Sequence, residues 1–345
     1  MNSMSVRDLV RNYNLSPDLE KEVLSYVMQY LSSCGSRDAL ENFYSHPDCK
    51  PFFHDLSFKT NFAFNSIMCD LMGKMQGKFV FDVSNSMIDF SGADVGNLAN
   101  RLREDGYCIG HIDGDVCTRL VDRMKTIQFK EKTTNNIVKY GQPKETYTSN
   151  SAWCVSHADV VNIPEVQELI GDGKLLSVIQ EYLGTNPILK KTNLWFTHNV
   201  NTDFSTNAQL FHRDFDHERW LKVFVYLSDV TRLNGPHCFV RHSHREVGSV
   251  GRGAYTRESD DTILRHYPKE HVVMHEGRKG TVIIEDTRGY HKGLPVIDGE
   301  RIMLQLEYSI NPSYGRDQPS LGLVNPSESM KERLKSYPYI YQNTV

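Results

Sequence analysis

The chain has 345 residues, with 39 Lys+Arg against 43 Asp+Glu for a formal charge of −4, and 39% of its residues are hydrophobic. That length suits about two ordinary domains, or one large domain with an extension, and the composition is that of a folded chain. The near-neutral charge argues against the basic face of a nucleic-acid binder, and no uncharged apolar run reaches the ~20 residues of a membrane span.

The predicted elements begin with a helical region over the first ~95 residues. Ser16-Pro17 supplies an N-cap and a first-turn proline, and Leu19, Val23, Tyr26, Val27, Tyr30 and Leu31 then recur at helical spacing until Gly35. A short helix is expected over Arg37–Tyr44, and an aromatic-rich stretch from Phe52 to Phe90 suggests a packing or lid role. Beyond Val95 a helix ends at Glu104-Asp105-Gly106, a strand follows over Tyr107–Ile112, and helical spacing resumes over residues 115–128. Residues 130–152 are polar and Thr/Asn/Lys-rich, as in loops that close over a site, and helices over Glu165–Ile170 and Leu175–Leu183 stop at Gly184.

From Ile188 onward the texture is β, with runs at Leu194–Thr197, Leu221–Leu227, Cys238–Val240, Val272–His275, Thr281–Glu285 and Arg301–Ile310. Many short strands separated by Gly turns predict a sandwich or jelly roll whose face is covered by the preceding helices. The expected division is a mostly helical cap or extension over residues 1–95, a mainly β domain with flanking helices over 96–315, and a tail over 316–345 packing on the core. The seven cysteines contain no C-x-x-C pair, and Arg7, Asp8 and Arg11 interrupt any leader-like start, so a cytoplasmic chain with free thiols is expected.

Ten of the 14 histidines lie between His198 and His291, inside the β region. In Phe211-His212-Arg213-Asp214 an extended backbone turns His212 and Asp214 to one face and Arg213 to the other. A third ligand is available in His291, just after the Thr281–Glu285 strand. Two imidazoles and one carboxylate on one side of an ion leave three positions open, the arrangement of non-haem Fe(II) oxygenases. Arg301, ten residues past His291, adds a guanidinium fork suited to a dicarboxylate, on a strand face shared with Met303, Gln305 and Glu307. A salt bridge to Glu307 or Glu285 is the competing role for this arginine. Trp220, His217 and Lys222 are candidate substrate contacts: Trp220 as a pocket wall, His217 at the site rim, and Lys222 as an inward cation for an anionic substrate. His242 and His244 read as turn residues rather than ligands.

Together, Gln209–Asp214, Leu221–Asp229, Asn234-Gly235-Pro236, Arg241-His242-Ser243-His244 and the His291…Arg301 spacing resemble the phytanoyl-CoA dioxygenase family over roughly residues 96 to 312. The resemblance implies a double-stranded β-helix, or cupin-like jelly roll, with Fe(II), 2-oxoglutarate as co-substrate, and O₂. His212, Asp214 and His291 match the family's iron ligands, and Arg301 matches the residue holding the distal carboxylate of 2-oxoglutarate. Two positions depart from the pattern. Met303 replaces a small hydroxyl residue, so a second co-substrate contact must come from elsewhere, and His242 replaces the usual glycine before Ser-His. The implied reaction is oxidation of an unactivated C–H bond in a small molecule, natural-product or amino-acid-derived, with release of succinate and CO₂. Hydroxylation, ring closure and desaturation all remain open, whereas halogenation is disfavoured by the carboxylate at Asp214. A non-catalytic jelly-roll binding protein is the reading from another class. No nucleic-acid or membrane partner is expected, and the sequence leaves the oligomeric state open.

Overall fold

The computed structural model describes residues 3–131, 136–143, 146–147, 152–199, 209–248, 250, 256–311 and 320–344. The chain opens with five helices: α1 (Ser3–Arg11), α2 (Pro17–Ser33), α3 (Arg37–Ser45), α4 (Cys49–Lys59) and α5 (Ala63–Met75). In α2 the Ser16 hydroxyl accepts the Leu19 N–H, Pro17 opens the first turn, and Val23, Tyr26, Val27 and Tyr30 form the buried stripe. The aromatic-rich stretch left unassigned by periodicity becomes α4, α5 and a two-residue strand, β1 (Ile88–Asp89). α4 buries Phe53 and Leu56, and α5 buries Phe64, Ile67, Met68 and Leu71.

Next come α6 (Val95–Asp105), β2 (Tyr107–Ile112), α7 (Gly114–Met124), β3 (Gln128–Glu131), β4 (Ile137–Lys139) and β5 (Trp153–Cys154). Asp94 caps α6, and Gly106 at φ 89° turns the chain from α6 into β2, a conformation that favours glycine. The polar stretch expected to be a loop therefore holds strands as well. Its residues 132–135, 144–145 and 148–151, and any closing role they have, lie outside the described residues. Helices α8 (His157–Val161), α9 (Pro164–Ile170) and α10 (Gly173–Leu183) follow, the last ending at Gly184 with φ 74°.

The remaining elements are β6 (Ile188–His198), β7 (Trp220–Tyr226), β8 (His237–Val240), α11 (Asp260–His266), β9 (Val272–His275), β10 (Thr281–Glu285), β11 (His291–Gly293), β12 (Glu300–Ser309) and α12 (Glu328–Ser336). Among the described residues two antiparallel sheets result, a large one in the order β1-β2-β10-β7-β12-β6-β5-β3-β4 and a small one in the order β11-β8-β9. Single bridges Phe211↔Glu258 and His212↔His291 continue the small sheet beyond β11. The pair of sheets is the mainly β jelly roll with flanking helices that the turn-rich second half predicts.

Alternation along the strands sorts the large sheet into two faces. Val223 and Val225, Val282 and Ile284, and Ile302, Leu304, Leu306 and Tyr308 point outward into one continuous core with the helices. Each buried aliphatic of that core contributes roughly 1.5–3 kcal/mol. The opposite face looks toward the small sheet. It carries an apolar group of Phe224, Tyr226, Ile283 and Met303 with Tyr107 and Trp195, and below them a charged row set by the pairings Glu307↔Lys222 and Glu285↔Lys222.

The N-terminal helices are tied to the barrel by polar contacts as well as by apolar packing. Tyr26 and Tyr44 both donate to the buried Glu218 carboxylate, at 2.7 and 3.1 Å, and Tyr30 donates to Asn311 at 3.0 Å. No helix among the described residues is long and apolar enough to cross a membrane.

Candidate functional site

The backbones of His212 and His291 exchange N–H···O bonds of 3.0 and 2.9 Å, which set their side chains next to each other. Their ring centroids are 4.3 Å apart. Each ring directs Nδ1 at a backbone carbonyl, His212 to Leu210 O at 2.9 Å and His291 to Gly289 O at 3.0 Å. A carbonyl only accepts, so Nδ1 carries the proton and Nε2 keeps its lone pair for a metal. Asp214 closes the group, its Oδ1 3.9 Å from His212 Nε2 and its Oδ2 3.3 Å from His291 Nε2. One ligand atom from each residue falls within 4.8 Å of the others, a spread able to hold one metal ion.

The electrostatics of the group suit a cation. Burial, reinforced by His291, brings His212 down to about 3, so it is a neutral imidazole. Burial would lower His291 too, but the adjacent Asp214 carboxylate outweighs it and raises this ring above its ordinary value. Burial would raise Asp214, yet Lys222, His291 and His212 hold its carboxyl well below the usual carboxylate range. The group is therefore an ionised carboxylate between a neutral His212 ring and a His291 ring that holds its second proton more firmly than usual. A cation would displace that proton, leaving a donor set that fits Fe(II).

Lys222 faces inward as the strand alternation requires, but three carboxylates already surround its ammonium. Nζ is 2.6 Å from Asp214, 3.0 Å from Asp216 and 3.8 Å from Glu307. Its expected role as a free cation for an anionic substrate does not match this neutralised setting. His217 differs from expectation as well. It is neither at a rim nor in a solvated loop but 2% exposed, with Nε2 donating to Glu307 Oε1 at 2.9 Å. Trp220 lies one layer below Lys222 on the same face of β7 and has no exposed surface. Its indole N–H donates to Thr287 at 2.8 Å and its ring packs with Phe62, Phe215 and Val247, so it seals the base of the barrel rather than walling a pocket.

Arg301 stands on the inner face of β12 and reaches the small sheet, where Nη1 donates to Gly235 O. A Cβ at Gly293 would come 3.2 Å from that same nitrogen, so glycine two residues past His291 leaves room for the guanidinium. The competing salt bridges are absent: among the described residues no carboxylate lies within 4 Å of Arg301, Glu307 being taken by His217, Lys222 and Lys191, and Glu285 by His237. Its Nε is buried with no hydrogen-bond partner. Burial lowers the pKa of Arg301, and only Tyr226 and Cys238, neither of them a carboxylate, oppose that effect. A confined guanidinium without an internal counter-ion fits an incoming carboxylate.

The wall beside His291 was not legible in the sequence. His237, whose ring centroid is 5.6 Å from that of His291, holds Glu285 with Nε2 at 3.0 Å from both carboxylate oxygens. Burial raises Glu285 to about 8 and pushes His237 well below its ordinary value, so the two meet as neutral groups. Only the register Glu285↔Lys222, which faces the glutamate inward, could have signalled it. His242 and His244 are turn residues as expected, bonded to the Glu104 and Arg103 carbonyls that end α6. His242 keeps the left-handed turn at φ 67° where the related pattern has glycine.

The phytanoyl-CoA dioxygenase (PhyH) family profile matches residues 102–299, more than half of the chain. None of the curated proteins compared matches it. Among solved structures it is similar to the epimerase SnoN from nogalamycin biosynthesis in complex with Fe³⁺, alpha ketoglutarate and nogalamycin RO (TM-score 0.49, 19% identity, 68% of this chain and 93% of that one). It is similar also to EctD from S. alaskensis with bound Fe (TM-score 0.45, 18% identity, 72% and 92%). HygX from Streptomyces hygroscopicus with nickel and 2-oxoglutarate bound is a further similar structure (TM-score 0.42, 14% identity, 62% and 86%). With the profile running from α6 to the edge of β12, across a clustered His-Asp-His group, the chain belongs to the phytanoyl-CoA dioxygenase family and is an Fe(II)- and 2-oxoglutarate-dependent oxygenase.

Proposed function

We propose that His212, Asp214 and His291 hold Fe(II), that Arg301 binds the distal carboxylate of 2-oxoglutarate, and that the enzyme oxidises an unactivated C–H bond of a small, natural-product or amino-acid-derived molecule. The observation that carries this reading is the pairing of two metal-ready Nε2 atoms around Asp214 with a guanidinium that has no internal counter-ion. When bound, Fe(II) with 2-oxoglutarate and O₂ supplies the oxidising power, the co-substrate leaving as succinate and CO₂. The chain's own residues bind, orient and exclude water. Leu210 and Gly289 carbonyls fix the imidazole tautomers, and Lys222 keeps Asp214 ionised. The inner wall of Tyr107, Trp195, Phe224, Tyr226 and Met303 supports an apolar substrate face, and the neutralised Lys222 adds no charge to attract an anion.

The division into a helical cap over 1–95, a catalytic jelly roll over 96–315 and a tail over 316–345 belongs to the same proposal, supported by the tyrosine contacts to Glu218. Anaerobic addition of 2-oxoglutarate to the Fe(II)-loaded protein should produce a metal-to-ligand absorbance band, and O₂ should then yield succinate. His291→Ala should lose Fe(II) and the band while keeping its fold by circular dichroism. Retention of wild-type iron and turnover in that variant would overturn the ligand assignment. In metabolite extracts, gain of an oxygen atom by the substrate identifies hydroxylation, and loss of two hydrogens identifies ring closure or desaturation.

A further inference from the structure

A second basic cavity lies where α5 meets the turn between β10 and β11, away from the His-Asp-His group. It has a volume of about 300 Å³, and its lining includes Ser66, Arg103, Arg219, His244, Arg245 and Arg288. Charges do not balance within it. Asp286 is the internal acid, bonded to Arg288 at 2.6 Å and 3.6 Å from Arg219. Arg103 pairs with Glu181 at 3.3 Å at the edge, and Arg245 has no carboxylate within 4 Å among the described residues. Among the described residues, four lining guanidinium groups against the two carboxylates paired with them leave an excess of two positive charges.

Two donors of the arginines that line the cavity are buried and unused. Arg288 is 2% exposed, and its Nη1 has no hydrogen-bond partner although Nε and Nη2 grip Asp286. Arg219 Nε is likewise buried without a partner. Buried guanidinium N–H groups without acceptors are rare in folded proteins, water or a bound group usually supplying the acceptor. The groups are held in place beforehand, with Arg288 4.9 Å from the centre of the Phe62 ring and Arg219 4.8 Å from that of Tyr182. Helix α5 adds the positive end of its dipole. It starts at Ala63 behind Phe62, whose side chain makes no cap, and its first turn lines the cavity through Ala63 and Ser66. His244 is fixed beside the cavity by donating Nε2–H to Arg103 O.

We propose that this cavity binds a doubly charged phosphate group, either free phosphate or the phosphate of a small ester. The excess charge matches a dianion, and guanidinium groups are the side chains best suited to phosphate oxygens. The site is independent of the reaction proposed above, because none of its lining residues belongs to the His-Asp-His group or to Arg301.

The test uses the full chain loaded with Fe(II) and saturated with 2-oxoglutarate under anaerobic conditions, so that the other anion site is filled. Inorganic phosphate and glycerol phosphate are titrated at constant ionic strength by calorimetry and by thermal melting. One saturable site per chain and a rise in melting temperature are expected, tighter binding of the ester assigning a phosphorylated metabolite and equal binding assigning free phosphate. Ser66→Asp places a carboxylate in the cavity at the positive end of α5, and should melt higher than wild type without phosphate and lose the phosphate response. Arg245→Gln, on the exposed rim, should fold normally and bind at least about tenfold more weakly. The proposal is overturned if phosphate acts only as chloride does at equal ionic strength, or if either variant binds it as tightly as wild type.

Discussion

Lys222 Nζ stands 2.6 Å from Asp214 Oδ2, closer than either imidazole nitrogen comes to that carboxylate. The candidate metal ligand is thus held ionised by a lysine on the opposite sheet, and the same ammonium serves Asp216 and Glu307. Removing one partner from a buried ionic group leaves the others uncompensated, at a cost of about 3–5 kcal/mol. Lys222→Met should lower stability in urea by an amount in that range. Its loss of Fe(II) on acidification should begin at higher pH, because Asp214 then protonates more readily. A change below about 1 kcal/mol would show that solvent already neutralises these acids.

Arg301 gives the opposite expectation for stability. It has no carboxylate to strand, so Arg301→Ala should cost clearly less stability in urea than Lys222→Met does. A charge-assisted bidentate pair to 2-oxoglutarate is worth ~2–5 kcal/mol, so affinity should fall roughly 30-fold or more while iron stays bound. Arg301→Lys should recover only part of the loss, since an ammonium keeps the charge without the fork. Anaerobic titration followed by the absorbance band measures both variants, and an unchanged dissociation constant would remove Arg301 from the co-substrate site.

Lys190 should govern the pH dependence of stability on the alkaline side. Burial brings its ammonium down to about 7, Glu307 and Glu218 opposing and Lys191 assisting. The unfolded chain keeps this proton until about pH 10.4, whereas the folded chain sheds it near 7. Folding therefore releases a proton in that window, and stability rises as pH increases from about 7. Lys190→Met should flatten the slope and stabilise the protein most at about pH 6, which urea midpoints across the range would reveal.

His242 occupies a left-handed turn at φ 67° and donates Nδ1–H to Glu104 O at 2.6 Å. A side chain in that region costs roughly 1–2 kcal/mol, which glycine avoids. His242→Gly should therefore be about 1 kcal/mol more stable than His242→Ala. Equal midpoints for the two would mean that the turn relaxes when the imidazole is removed.

Local chemistry made much of the molecule readable. β2 and β10 coincide with the runs Tyr107–Ile112 and Thr281–Glu285, because alternation and flanking Gly turns mark both ends. The alternation from Arg301 to Glu307 identified the inward face of β12. By contrast, α4 and α5 were hidden because their buried sides include polar residues, His54 and Ser57 in α4 and Asn65 in α5, which blur the apolar stripe. Isolated residues misled for a different reason. His217 owes its setting to Glu307 on a distant strand, and Lys222 to Asp214 and Asp216 folded back over β7, and no local pattern announces either contact. The surplus of arginine around Asp286 escaped notice likewise, since α5, α6 and the β10–β11 turn meet only in the fold.

The reciprocal backbone bonds between His212 and His291 join two ligands from distant parts of the chain. The entropy of closing that long loop is met when the sheets pair, not when an ion arrives. An iron-free form should thus retain the cradle at nearly its final dimensions, and metal exchange becomes a local event with little reordering. Chelation followed by re-addition of Fe(II) should restore the centre without a denaturation and refolding cycle, unlike small zinc domains whose fold exists only with the ion.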